Sequence, residues 1–534
     1  MNEVGLITLL LFGVVVLAII SNKYKFPFPI VLVLSGIIIS LIPGLPAVSL
    51  RPDIVFLIFL PPLLYDASWN TNWYNFKIYK RNILFSAFGL VFFTTFMVGV
   101  VAHACIPGIS WPVGFLLGAI ISPTDTVSAI SLTKGLPLPR RITAILEGES
   151  LINDASGLVT YKYAIIAVMA GNFVFWQAGL NFLWVIAGGV GIGLTIGYLA
   201  FLISKGKNFD SVILTSISLI VPFTSYLLAN YFEVSGVLAV VSTGLYLSYH
   251  SQSIITHQAR ITRYAVWDVI VFILNGLIFI FIGLQLKSIM AGIQSYSPGQ
   301  LIFYGLLISA IVVIARFIYV VPAVLIPRYL SKKIRRREPF DKRYMFIIGW
   351  TGIRGVISLA AALSLPMLLP DGSAFPARNL IIYLTFCVIL ATLLFLGLPL
   401  PWIIRKLKIQ VYSVVAEEYE VRKAILNATI HHLDQNIENI KDEFREKIKR
   451  KYDYKLMRIQ KTDLPPGYFG NVKPTMTPEN IFNEYSQLEV NVINVERRLL
   501  QDMYRKGKVS EEIVRKIERE LDLEEGRLAL VMGV

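Results

Sequence analysis

Two stretches, GAIISPTDTVSAI (Gly118–Ile130) and GWTGIRGVISLAAAL (Gly349–Leu363), are apolar helices interrupted in the middle. In the first, Pro123 removes a backbone donor, and Thr124, Asp125 and Thr126 bring side-chain oxygens to the same place. In the second, Gly349, Gly352 and Gly355 surround Arg354. Inside a bilayer, a broken helix is tolerated only where neighbouring protein groups or a water-filled cavity satisfy the freed backbone.

The surroundings of both stretches are those of a membrane. Of 534 residues, 55% are hydrophobic and 16% are charged, and the mean hydropathy is +0.63. An ordinary soluble domain carries about 25% charged residues, so a soluble enzyme of ordinary type is excluded. Apolar runs long enough to span fall near 4–21, 29–44, 52–68, 82–106, 111–133, 141–170 and 178–204. Six more fall near 209–230, 233–250, 264–286, 299–327, 343–368 and 377–405. The expectation is an all-α polytopic membrane protein of thirteen transmembrane helices. The broken spans are the fifth and the twelfth. If spans 1–6 and 8–13 form two halves, each is the fifth of its half, and the second half is inverted. Two inverted six-helix repeats with crossed broken helices are the pattern of a secondary transporter with a midplane site.

The formal charge of +15 might suggest nucleic acid, but its distribution argues against that partner. Residues 1–405 hold 27 Lys and Arg against 13 Asp and Glu, whereas 406–534 hold 23 against 22. Odd-numbered loops carry 20 basic residues and even-numbered loops only Arg51, Lys287 and Arg378. Cytoplasmic loops collect Lys and Arg, so the N-terminus is expected outside and the tail inside a plasma or inner membrane. Segment 4–21 has neither a basic start nor a small-residue cleavage site, and reads as a retained span. Cys105 and Cys387 are too few for a disulfide framework.

The domains expected are a transmembrane unit, 1–405, and a helical cytoplasmic tail, 406–534. In the tail, Ile425, Leu433, Ile437, Ile440, Phe444 and Ile448 recur mostly at helical spacing. After a break at Pro465-Pro466-Gly467, Ile481, Tyr485, Leu488, Val492, Val495 and Leu499 make a short a/d seam. A regulatory or dimerising tail and a hairpin burying its own seam fit this pattern equally.

Ionisable side chains within spans mark functional sites by default. The acids are Asp66, Asp125, Glu147, Glu149, Asp154 and Asp268; the bases are Lys162, Arg316 and Arg354. Glu147 fits an interfacial residue, Lys162 one that snorkels outward, and Asp268 and Asn275 fit interhelical contacts or ligands equally. The sixth span, EGESLINDASG (Glu147–Gly157), is the richest. Glu149 and Asn153 share one helical face, Ser150 and Asp154 the next, so the two acids meet different neighbours. One carboxylate is available for a ligand and the other for an ion pair, for which Arg316 is the partner of choice with Glu149. Asp125 suits positive half-helix ends and Arg354 negative ones.

SPTDTV, EGESLINDASG, GIRGVISL, FLPPLLYDASW, WDVIVFILNGLIFIFIGLQL and IARF together resemble the NhaP-type sodium/proton antiporters, relatives of the animal sodium/proton exchangers. The resemblance covers about residues 1–405. It implies a homodimer whose core domain moves against a dimer domain, with the transported ion, Na+, on Asp154 and Asn153 beside it. It also implies Thr124, Asp125, Ser150 and Asp66 near the pocket, and a Glu149–Arg316 ion pair. Many members carry Glu where this chain has Asp66, a shorter side chain.

Desolvation penalises the charged form of a buried carboxylate, so a proton or a cation would each neutralise Asp154. Competition for one carboxylate predicts electroneutral exchange of Na+ (or Li+ or K+) for H+, without a cofactor. A K+/H+ exchanger of the same fold and a cation channel are the alternatives. An intramembrane enzyme is disfavoured: His103, His250, His257, His431 and His432 sit at span ends or in the tail, and no HExxH occurs.

Overall fold

Residues 3–24, 26–42, 55–71, 73–125, 138–170, 175–205, 209–250, 257–293, 296–330, 341–407, 414–435, 442–460 and 478–532 are described by a computed structural model of the chain. Among them the regular elements are helices, with one isolated bridge between Leu368 and Ala374. The order begins α1 (Glu3–Tyr24), α2 (Phe28–Ser40), α3 (Leu60–Asn70), α4 (Trp73–Leu84), α5 (Val91–Cys105), α6 (Trp111–Ile121) and α7 (Arg140–Ala170). It continues with α8 (Phe175–Ser204), α9 (Ser211–Tyr231), α10 (Gly236–His250), α11 (His257–Leu284), α12 (Leu286–Ala291) and α13 (Pro298–Leu330). Then come α14 (Lys342–Trp350), α15 (Val356–Leu363), α16 (Arg378–Ala391) and α17 (Leu400–Lys406). Three π-helical stretches, Val55–Phe59, Phe85–Leu90 and Thr392–Gly397, adjoin α3, α5 and α16.

Among the described residues, six continuous helical runs are long and apolar enough to cross a bilayer: Phe76–Cys105, Gly179–Ser204, Ser211–Tyr231, Gln258–Ala291, Pro298–Ile326 and Arg378–Lys406. Thr8–Tyr24, Phe28–Ser40 and Trp111–Ile121 are shorter apolar helices. α7 has the length of a span but not the apolarity, because Glu147, Glu149, Asp154 and Lys162 lie along it. Outward faces carry exposed Phe12, Trp184, Ile220 and Phe395, the reverse of a water-facing surface and the expected face toward lipid.

Packing divides the chain into two units. The first comprises Met1–Thr71, Phe76–Ile254 and Tyr264–Ile409; the second comprises Asn72–Asn75, Ile255–Arg263 and Gln410–Val534. This differs from a single cut at 405, because the start of α11 belongs with the second unit. There Arg260 lies 3.5 Å from Glu518 and 3.6 Å from Asp522.

In the first unit the two interrupted stretches meet. α6 stops at Ile121, and Ser122–Asp125 continue without helical bonds. α14 stops at Trp350, and α15 starts only at Val356. The Asp125 backbone N–H donates to the Ile353 carbonyl at 2.8 Å, so each break supplies a partner for the other. The rest of the first stretch, including Thr126, and loop residues such as Lys134, Arg51 and 331–340 lie outside the described residues.

The second unit has α18 (Val414–Gln435), α19 (Asp442–Gln460), α20 (Pro478–Arg505) and α21 (Glu511–Met532). Leu426, Leu433, Phe444, Ile448, Tyr452, Leu488 and Val492 form one apolar cluster, and Val421, Ile425, Ile493, Leu500 and Ile513 belong to another. Leu488 and Val492 of the heptad-like seam are therefore used within the unit. Ile437, Ile440, the Ile481 side chain and the Pro465–Gly467 break lie outside the described residues.

Candidate cation site

α7 places Glu149, Ser150, Asn153 and Asp154 in the interior of the first unit, all of them buried. Gly157 lets this helix approach the first break, for a Cβ there would fall on the Pro123 ring. Contact at that point brings Thr124 against α7. The Thr124 Oγ1 hydroxyl accepts from Asn153 Nδ2 at 2.5 Å and donates to Glu149 Oε1 at 3.2 Å. Ser150 Oγ donates to the Thr124 carbonyl at 3.3 Å. With its Nδ2 so engaged, the Asn153 amide leaves Oδ1 buried and, among the described residues, without a hydrogen bond.

The charges sort by helix end. Arg316, on α13, donates from Nη1 to Glu149 Oε1 at 2.7 Å and from Nε to the Ile348 carbonyl in the last turn of α14 at 2.9 Å. Arg354 donates from Nε to the Ile121 carbonyl, the end of α6, at 3.0 Å, and from Nη1 to the Gly352 carbonyl at 2.6 Å. Each guanidinium thus meets the negative end of a broken helix. Asp125 does the converse. Its carboxylate lies against Gly355, just before α15, where a Cβ would collide with it, so it sits at a positive helix end.

Asp154 is 6% exposed on α7 and, among the described residues, makes no ion pair. Asp125 is within electrostatic reach of it. Asp66 is half-buried on α3, a helix that packs against α7 and α10. Direct hydrogen bonds join Thr124, Glu149, Ser150, Asn153 and Arg316, while a backbone bond ties Asp125 to the segment that carries Arg354.

Four residues of this neighbourhood escape sequence reasoning. Thr392 Oγ1 accepts from the Arg354 backbone N–H at 3.1 Å. Ser358, in the first turn of α15, is buried with an unbonded hydroxyl among the described residues. Ser156 Oγ donates to the Ala87 carbonyl and Tyr319 Oη to the Phe85 carbonyl, at 2.7 and 2.6 Å. The last two satisfy carbonyls of a π-helical stretch that has no sequence signature. A lone hydroxyl in an apolar run carries no distinguishing signal either.

A bundle with bilayer-length apolar helices and this much charge in its interior is a multi-pass membrane protein built around ions. The family described as sodium/hydrogen exchanger, transmembrane, matches residues 7–406, and the chain belongs to it. It is 31% identical over 525 residues to the sodium, potassium, lithium and rubidium/H+ antiporter of Bacillus pumilus, covering 96% of this chain and 76% of that protein. It is 28% identical to the low-affinity Na+/H+ antiporter NhaS1 of Synechocystis, over 92% of this chain and 90% of that one. The fold is similar to that of the sodium proton antiporter MjNhaP1 from Methanocaldococcus jannaschii, with a TM-score of 0.59 at 20% identity, covering 76% of this chain and 98% of that chain. As a member of this family the protein is a monovalent cation/proton antiporter, a transporter and not an enzyme.

Proposed function

We propose that the chain exchanges Na+ for H+ by alternating access, with Asp154 as the one carboxylate that both ions use. A single observation carries this reading. α7 buries two acids about a turn apart, and Arg316 neutralises Glu149, whereas Asp154 has no such partner among the described residues. A buried carboxylate needs a positive companion, and either a proton or a cation supplies it. Asn153, Thr124, Ser150 and Asp125 offer oxygens or hold those that do, and Asp66 completes the polar neighbourhood. Only the neutralised site crosses the low-dielectric interior cheaply, so empty return is suppressed and the flows are coupled one for one. Because Asn153 and not a second acid stands beside Asp154, exchange is electroneutral.

The architecture that goes with this mechanism has thirteen spans in two inverted six-helix repeats, an outside N-terminus and a cytoplasmic tail. It works as a homodimer in the plasma or inner membrane, with residues 406–534 as a regulatory or dimerising tail. The 20-to-3 distribution of basic loop residues supports the orientation.

A second reading, K+/H+ exchange at the same site, is favoured by the name of the Bacillus pumilus relative, which includes potassium and rubidium. One experiment separates the two. Purified protein in proteoliposomes under an imposed pH gradient is assayed with Na+, Li+ and K+ at two pH values. Na+-driven proton movement insensitive to membrane potential is expected, and Asp154→Asn abolishes it. Exchange retained in that variant would overturn the site, and acceleration by membrane potential the one-for-one stoichiometry.

A further inference from the structure

We infer that the exposed face at the junction of α4 and the following π-helical stretch is a binding site for one anionic phospholipid. A groove of about 520 Å³ is lined there by Lys80, Arg81, Leu84, Phe85, Phe88 and Gly89. The order of these residues along the helix is the order of parts in a phospholipid. Two cations occupy the first turn, and apolar side chains follow over the next two turns, about 10 Å along the axis. Leu84 is 44% and Phe85 54% exposed. The run to which they belong, Phe76–Cys105, is apolar enough to span a bilayer, so this face looks into hydrocarbon.

Charge complementarity selects the ligand. Lys80 and Arg81 are exposed and make no ion pair among the described residues, and no acid lines the groove. Basic pockets at the end of a span bind anionic head groups, and the apolar wall beyond them selects a lipid over free phosphate. The lining residues Phe85 and Gly89 are backed by the neighbouring helix. Tyr319 stacks on Phe85 with ring centroids 5.6 Å apart, bonds the Phe85 carbonyl, and fills the space that a side chain at Gly89 would occupy. Tyr319 follows Arg316 by one turn on α13. A lipid in this groove therefore touches Phe85, which packs on the helix that holds Glu149, whichever cation is carried.

The test is native mass spectrometry of the full chain after delipidation and titration with phosphatidylglycerol or, separately, phosphatidylcholine. One phosphatidylglycerol per chain is expected to be retained in preference to phosphatidylcholine. The Lys80→Ala/Arg81→Ala variant should lose that preference by about thirtyfold, while a Lys205→Ala/Arg405→Ala control of equal charge keeps it. Leu84→Asp, which leaves both cations in place, should also weaken retention. Undiminished binding in the Lys80/Arg81 variant would overturn the site. Equal retention of both lipids, or full displacement by millimolar inorganic phosphate, would reduce it to charge adsorption and overturn it as well.

Discussion

Glu149 and Arg316 face each other at 1% exposure each, 2.7 Å apart. Removing one member of such a pair strands the other charge in the interior and costs about 3–5 kcal/mol, whereas replacing both with apolar groups of similar size is often neutral. Glu149→Gln should therefore lower the thermal midpoint of the detergent-solubilised protein markedly, and adding Arg316→Met should recover most of the loss. An unchanged midpoint in Glu149→Gln would contradict a structural role for the pair. Asp154→Asn should behave in the opposite way, losing exchange while keeping or raising the midpoint, because it removes a buried charge. The separation of these two acids is readable from their spacing on one helix. The further duties of Arg316, capping α14 at Ile348, and of Thr124, standing between Asn153 and Glu149, are not. Both depend on which helix ends the fold brings together, and helical periodicity holds no information about that.

At the scale of elements, the two breaks work as one piece. Proline and glycine announce each interruption in the sequence, but not the bond between Asp125 and Ile353 that joins them. The approach of α7 to this piece passes through Gly157 and Pro123. Overpacking of a tight interior contact costs about 1–3 kcal/mol, so Gly157→Val should push the first break, with Thr124 and Asp125, away from Asn153. The expected outcome is a lower melting midpoint and a large fall in the initial rate of cation-driven proton flux, with Gly157→Ala intermediate. A Gly157→Val protein with unaltered rates would show that α7 and the break are not held in register. The π-helical stretches were invisible to pattern reasoning, since they keep nearly the same apolar spacing as the α-helices they interrupt. Side chains reach carbonyls of two of them: the hydroxyls of Ser156 and Tyr319 in Phe85–Leu90, and the Trp350 indole N–H at Leu396 in Thr392–Gly397.

Across the whole molecule, composition and hydropathy were enough to distinguish an apolar unit from a charged tail. They did not reveal that residues 257–263 pack with the tail, because that depends on partners far along the chain. Within this second unit, burial first, and then the nearby Glu524, push the Glu496 carboxyl up to about 7, against the pull of Lys455, Lys451 and the Tyr452 hydroxyl. The folded unit then holds a proton between about pH 4.5 and 7 that the unfolded chain has released, so its stability falls as pH rises through that window. Lowered carboxyls such as Glu524 act in the other sense, their contribution being lost as pH falls. Glu496→Gln should abolish about 3 kcal/mol of the decline. Amide hydrogen exchange of α20 in the intact chain at pH 5 and 8, corrected for intrinsic rates, measures this, and equal pH dependence in variant and parent would refute it. The contact of Arg260 with Glu518 and Asp522 has a consequence for biosynthesis. The ribosome delivers Arg260 long before it delivers the acids that will receive it, so this contact closes only after Glu518 and Asp522 of α21 have been translated.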